Sequence, residues 1–252
     1  MKILLSPAKL MSLESEGKWN KSATPIFIDR SQTIMEQLKK LKTKELEKLM
    51  SISKELAEMN RERNQAWNVK PASKESLQAI LAFQGEAFRG LDPVTLDEKS
   101  QNWLDEHLLI LSGLYGILRP KDRIMLYRLE MGSRFPVNDS KNLYGFWKSE
   151  LTDFVNKQLK NEEILLNLSS NEYSKVIDDK KLKSPKVEVK FLDFKNGKLK
   201  PIMAYFKNAR GRMARYCAEN QVSTLDEIKL FNEERYAYDE NLSSENELVF
   251  VR

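Results

Sequence analysis

Short apolar runs alternate with longer stretches of helical spacing along this chain, and that alternation sets its class. Lys2–Leu5 form an apolar run that stops at Ser6-Pro7, which predicts a strand ending in a loop. Ile34, Leu38 and Leu41, then Leu46, Leu49 and Met50, then Leu56 and Met59 keep the spacing of three short amphipathic helices. A further helix is expected over about 73–83, and Thr95-Leu96-Asp97-Glu98 has the form of a capping box ahead of Trp103 and Leu104. Residues 108–111 predict a second buried strand, ended by Ser112-Gly113. Trp147, Leu151, Phe154, Val155 and Leu159 trace another helix, and 164–168 another apolar run. Val187, Val189 and Phe191 alternate with polar residues ahead of Asn196-Gly197, and 202–206 is apolar again. Asn-Gly between two such runs predicts a hairpin, because both central positions of a type I′ turn need positive φ. A basic helix over about 208–220 and a closing strand over 248–251 complete an α/β pattern. No repeat, low-complexity tract or linker interrupts it, so one domain over residues 1–252 is expected.

Composition narrows the function classes. The net charge of +5 is too small to name a partner, but its distribution is polarised. From Lys175 to Arg215 there are thirteen Lys or Arg against four Asp or Glu, whereas from Tyr216 to Arg252 nine acidic residues face three basic ones. Such a chain can carry a positive face suited to nucleic acid, or simply a solvated lysine-rich one. A single Cys and a single His exclude an intramolecular disulfide and any site built from several Cys or His ligands, so neither metal nor cofactor is expected. No apolar stretch is long enough to span a bilayer, which makes the cytosol the expected compartment.

Three clusters place small or basic residues just after predicted strands, where open α/β sheets hold ligands. They are Ser6-Pro7-Ala8-Lys9, the segment Leu111-Ser112-Gly113-Leu114-Tyr115-Gly116-Ile117-Leu118-Arg119-Pro120, and Lys207-Asn208-Ala209-Arg210-Gly211-Arg212-Met213-Ala214-Arg215-Tyr216. Gly113 and Gly116 allow the backbone close to a phosphate with Arg119, Lys121 and Arg123 nearby, or else make a tight strand-to-helix turn without a ligand. Lys207, Arg210 and Arg212 crowd the predicted helix N-terminus, with Arg215 one turn on from Arg212. Cations there oppose the helix dipole unless an anion binds. The bland alternative pairs these arginines with the acidic segment around Glu233, Glu234, Asp239 and Glu240. Ser6 beside Lys9 has the composition of a Ser–Lys nucleophile pair. Cys217 reads either as a peroxide-sensing thiol near Arg212 and Arg215 or as a small core residue. His107 reads as a structural or solvated residue at a helix end.

The same motifs identify a family resemblance over nearly the whole chain. Ser6-Pro7-Ala8-Lys9, 111–120, Tyr127-Arg128-Leu129-Glu130-Met131-Gly132, Phe146-Trp147, Asn167-Leu168-Ser169-Ser170-Asn171-Glu172-Tyr173, Ala209-Arg210-Gly211 and Asn246-Glu247-Leu248-Val249-Phe250 follow in the order seen in the peroxide-stress YaaA family, which the chain resembles. The resemblance implies a compact α/β fold with a mixed sheet wrapped by helices and a helix-hairpin-helix-like element. It also implies DNA binding through a positive cleft and a role in limiting iron-driven peroxide damage. Ser169 stands where the family usually has Ala, and the loop between Lys9 and Pro25 diverges.

The leading expectation is therefore binding of duplex or distorted DNA by shape rather than sequence. Lys9, Gly113, Tyr115, Gly116, Arg119, Lys121, Arg123, Arg128, Lys207, Arg210, Arg212 and Arg215 are the expected contacts. The alternative is an enzyme acting on a nucleotide, base or DNA end, with Ser6, Lys9, Ser112, Tyr115, Tyr127 and Glu130 lining the same cleft. A third is protein interaction or iron handling without DNA. Oligomeric state is not legible in the sequence.

Overall fold

Ile3, Leu4 and Leu5 are fully buried, and a strand buried on both faces belongs in the middle of a parallel sheet. The computed structural model, which describes residues 1–17, 19, 21–160 and 163–252, places them there. Lys18 and Asn20 of the divergent loop lie outside the described residues. The sheet strands are β1 (Lys2–Leu5), β2 (Leu108–Ser112), β3 (Gly116–Leu118), β4 (Leu165–Leu168), β5 (Lys186–Lys195), β6 (Lys198–Lys200), β7 (Ala237–Tyr238) and β8 (Glu247–Val251). Their order is β7-β8-β5-β4-β1-β2-β3, with β6 paired to β5 outside this path. The five strands from β8 to β2 are mutually parallel, while β3, β6 and β7 are antiparallel additions at the margins. The sheet is therefore mixed, as the family resemblance implies.

Strand β1 pairs with β2 on one side (Leu5 opposite Ile110) and with β4 on the other (Leu5 opposite Leu168). The chain thus runs outward from β1 to β2 and later returns to its other flank. A crevice opens at the carboxyl ends of the strands where the winding reverses, and that is where doubly wound sheets bind ligands.

Helices cover both stripes of apolar sequence. They are α1 (Ile28–Leu38), α2 (Thr43–Met50), α3 (Lys54–Ala66), α4 (Glu86–Leu91), α5 (Glu98–His107), α6 (Leu143–Gln158), α7 (Met203–Glu219) and α8 (Leu225–Lys229). The first three match the three periodic segments. Asn142 caps α6 by accepting the Gly145 amide at 2.9 Å, and one apolar core joins the sheet to α1, α5, α6 and α7. Helices α4 and α7 cross at unusually close range. A Cβ on Gly211 would collide with the Ala87 carbonyl, and one on Gly90 with the Asn208 carbonyl, so only glycine lets the two backbones meet.

Several local expectations are corrected. The 73–83 segment is not one helix: a turn at Ser73–Glu75, a two-residue strand Leu77–Gln78, a helical turn Ala79–Ala82 and the strand Phe83–Gln84 share it, because the two strands pair with the distant Arg123–Ile124 and Leu10–Met11. Helix α5 is capped by Asp97, which accepts the Ser100 amide at 2.8 Å, while Thr95 instead donates to Asp92. The Asn196-Gly197 hairpin forms with both residues at positive φ, but its second strand ends at Lys200. Residues 202–206 are not strand. Pro201 cannot donate to the ladder, and α7 starts at Met203. The 111–120 segment is strand, turn and strand, with Ser112 opposite Gly116 in the register, so the helix-hairpin-helix-like element does not form there.

Candidate functional site

The crevice at the winding reversal is a cleft of about 1180 Å³. Its floor comes from the loop after β1 and the turn after β4. Ser6 Oγ accepts the Ser170 amide hydrogen at 2.8 Å, which ties the two strand ends together. Leu10 pairs with Gln84, and a Cβ on Gly85 would touch Ala8, so the Ser6-Pro7-Ala8-Lys9 loop is pinned against the start of α4. One wall carries Tyr127, Arg128, Glu130, Glu172 and Tyr173; the other carries Glu188 and Lys190 of β5 with Lys207 and Arg210 of α7.

Charge in this cleft is largely paired. Glu130 Oε1 sits 2.9 Å from Lys9 Nζ and 3.3 Å from an Arg128 nitrogen, so one carboxylate holds two cations, one from the loop after β1 and one from its own segment. Lys190 pairs with Glu247 at 2.6 Å. Glu172 accepts the Gly132 amide at 2.9 Å, and Glu188 accepts from Asn167 at 2.6 Å. Arg210 differs. Its guanidinium lies 5.0 Å over the Phe206 ring, its Nε is buried without an acceptor, and among the described residues it makes no ion pair. Burial pushes its pKa down, partly opposed by the Glu188 carboxylate. Arg128 Nε is likewise buried and unsatisfied. A guanidinium out of water with a free donor is unfavourable until an anion completes it.

The tyrosines at the site are neutral hydrogen-bonding groups. Tyr127 is buried, its hydroxyl is 2.6 Å from Ser112 Oγ, and desolvation pushes its pKa up. Tyr173 is raised for the same reason, so neither ring supplies a base.

Of the expected contacts, Lys9, Arg128, Lys207 and Arg210 line the cleft, as do Ser6, Tyr127 and Glu130 of the enzyme alternative. The others are placed elsewhere. Ser112 is fully buried beneath the cleft and accepts the Tyr115 amide at 2.9 Å. Tyr115 is buried, accepts from Trp67 Nε1 at 2.8 Å, and desolvation pushes its pKa up to about 12. Gly113 and Gly116 lie in the core: a Cβ on Gly113 would strike the Leu129 carbonyl, and Gly116, at φ +68°, packs under Trp147 and Leu151. Their amides do not face solvent, so they are not phosphate contacts. Arg119 is spent on the buried Asp122 (2.7 Å) and the Thr24 carbonyl. Lys121 pairs with Asp105 at 3.2 Å, and Arg123 binds the Ser73 and Ser76 carbonyls.

On α7 the helix begins four residues before Lys207, so these cations do not crowd its N-terminus. Arg212 instead contacts Glu233 (3.6 Å) and Glu234 (3.3 Å). Arg215 binds Glu219 at 2.8 Å and the Asp92 carbonyl at 3.0 Å. Both belong to internal bridging, the bland alternative for Arg212. Cys217 is fully buried and burial pushes its thiol pKa up, which fits a core residue and not a peroxide sensor. His107 stacks on Trp103 with ring centroids 4.1 Å apart, and its Nδ1 lies 2.7 Å from the Met1 carbonyl. Desolvation lowers its pKa, so the neutral ring donates there.

Sequence reasoning missed Ser170, Glu188, Lys190 and Glu247. Ser170 was findable, since it follows an apolar run at a strand's carboxyl end. Glu188 and Lys190 are simply the polar half of an alternating strand, with no local mark of a site.

Among the described residues no group of three or more His, Cys, Asp or Glu is placed to hold a metal ion, and no helix is long and apolar enough to cross a membrane. The family model described as peroxide stress protein YaaA matches residues 1–242. UPF0246 proteins of Flavobacterium psychrophilum and Flavobacterium johnsoniae are 46% and 43% identical over 252 residues, all of both chains. A UPF0246 protein of a Marinomonas species is 41% identical over all of this chain and 97% of its own.

Proposed function

The chain belongs to the peroxide stress protein YaaA family, and from that membership and the cleft we propose that it serves the peroxide response by binding DNA and limiting iron-driven damage there. The observation that carries the reading is Arg210: a partly buried guanidinium in the cleft wall with an unsatisfied Nε and, among the described residues, no carboxylate within ion-pair distance. A phosphate oxygen supplies the missing acceptor, and Lys207, which among the described residues has no carboxylate within ion-pair distance, adds a second charge one helical turn earlier. Lys9 and Arg128 can exchange Glu130 for phosphate at the entrance. Contacts of this kind position a backbone without reading its sequence.

The test is affinity for duplex DNA against salt concentration. Release of counterions from a few neutralised phosphates makes log K fall with log salt by roughly 0.9 per contact. A flat dependence, or no binding at low salt, removes the reading.

A second reading has its own support. Ser6, Lys9, Tyr127 and Glu130 line the same cleft, and backbone binding alone needs no such constellation. An enzyme acting on a nucleotide, base or DNA end would use them: Lys9 and Glu130 as a paired acid and base, and neutral Tyr127 as a hydrogen-bond donor. Turnover of a nucleotide or DNA end that is lost in Glu130→Gln while binding persists distinguishes it.

A further inference from the structure

The β5–β6 hairpin extends beyond the cleft and carries a surface that the phosphate contacts at Arg210 leave unused. Side chains alternate across a strand, so Phe194 stands on the same face of β5 as Glu188, Lys190 and Leu192, which line the cleft. Leu199 lies directly opposite Phe194 in the register, and the two are 40% and 68% exposed. Lys195 and Lys198 also face each other directly, an arrangement of like charges that is unfavourable in isolation. With Lys200 they stand on the other face of the hairpin from Phe194 and Leu199 and make its cationic edge, and none of the three has a carboxylate within ion-pair distance among the described residues. Asp193, opposite Lys200, is already engaged by Arg252 and Tyr236. The Asn196-Gly197 turn, with φ of 56° and 75°, twists with the strands and holds the arm in shape.

An occupant that suits this arm offers a flat apolar face to Phe194 on one side and spaced anions to the lysine side chains that reach round its edge from the other. A nucleic acid strand has both, and its path along this face of β5 leads to the unsatisfied donor of Arg210. We propose that the hairpin is a strand-guiding arm, in which Phe194 backed by Leu199 stacks on an unpaired base on one face while the long side chains of Lys195, Lys198 and Lys200 reach round the arm's edge from the other face to the flanking phosphates. The proposal rests on the DNA-binding reading and deepens it: the preferred partner is DNA with an unpaired or extruded nucleotide, not intact duplex. Stacking on an aromatic ring tolerates any base, so no sequence preference is required.

The experiment uses the full chain with two probes, an intact duplex and the same duplex with a fluorescent base analogue in a one-base bulge. The wild type is expected to bind the bulged probe more tightly and to change its fluorescence. Phe194→Ala should lose roughly tenfold affinity for the bulged probe, abolish the fluorescence change and leave intact-duplex binding unaltered. Phe194→Trp should restore both. Lys195→Gln with Lys198→Gln should weaken both probes and reduce the salt slope by about two. These side chains are exposed, so the melting temperature serves as the folding control. If the wild type binds neither probe, the DNA-binding reading fails and the arm with it. If it binds both but Phe194→Ala behaves as wild type, the arm alone is overturned. A Phe194→Ala variant that changes oligomeric state while DNA binding is kept also overturns it, by making the patch a self-association surface.

Discussion

Ser6 Oγ accepts the amide hydrogen of Ser170 at 2.8 Å, across the line where β1 and β4 part at their carboxyl ends. This bond sets the width of the cleft floor, because it joins the two loops on either side of the winding reversal. Removing it should be felt in stability and in the site together. Ser6→Ala leaves the half-buried Ser170 amide short of an acceptor, which costs about 1–3 kcal/mol. Urea unfolding should show that loss, with the m-value unchanged.

Arg210 and Arg212 are two residues apart on α7 and have opposite fates. Arg210→Gln is expected to weaken DNA binding and reduce the salt slope by about one, with stability held or raised, since it removes an unsatisfied partly buried charge. Arg212→Gln is expected to leave affinity unaltered and to cost about 0–1 kcal/mol through its partly exposed pairs with Glu233 and Glu234, its own buried Nε lying outside the cleft. Melting and binding curves on the two single variants separate these roles; equal effects on affinity would remove the distinction.

Cys217 should be unreactive in the native state. It is fully buried, and desolvation holds the thiol protonated at neutral pH. Alkylation and peroxide oxidation should therefore proceed only on unfolding, and Cys217→Ala should leave any peroxide phenotype intact. Rapid native alkylation would contradict the burial.

The α4–α7 crossing should be intolerant of the smallest side chain. Gly211→Ala drives a methyl group into the Ala87 carbonyl, and backbone cannot yield as a flexible side chain can. A loss of about 1–3 kcal/mol or more is expected in chemical denaturation. Because α7 carries Lys207 and Arg210, DNA affinity should fall with it.

Glu227 gives the fold an acid-sensitive contact. Its carboxylate accepts the Ser223 and Thr224 amides, at 2.8 and 2.9 Å, and these bonds lower its pKa from 4.5 to about 2. A carboxylate with a depressed folded pKa contributes stability above its unfolded value and loses it as pH falls through the folded one. The contribution should be present in full above about pH 4.5 and decline toward pH 2. Glu227→Gln should flatten that part of a stability–pH profile, and an unchanged profile would count against the capping role.

Much of the architecture follows from short-range pattern. The apolar 3–5 and 108–111 runs needed burial on both faces, and the alternation at 187–191 needed one covered face, so the sequence alone determined an α/β class and most of the strands. Asn196-Gly197 determined its hairpin because few residues accept positive φ. The loop Ser6-Pro7-Ala8-Lys9 and the basic segment at 207–210 were legible as site candidates because both follow strands or carry unbalanced charge.

What the sequence could not determine is which cations are free. Arg119, Lys121, Arg123, Arg212 and Arg215 look as available as Arg210 when read along the chain, yet each is engaged by an acceptor that folding brings close. The same holds for Gly113 and Gly116, whose flexibility serves close packing against Leu129 and Trp147 and not a ligand. Patterning fixes which face of an element is buried, because that depends on neighbours a few residues away. The partner of a charge and the space beside a glycine often depend on atoms tens of residues distant, as for Arg123 with Ser73 and Gly116 with Trp147, and only the winding of the sheet decides which of those arrive.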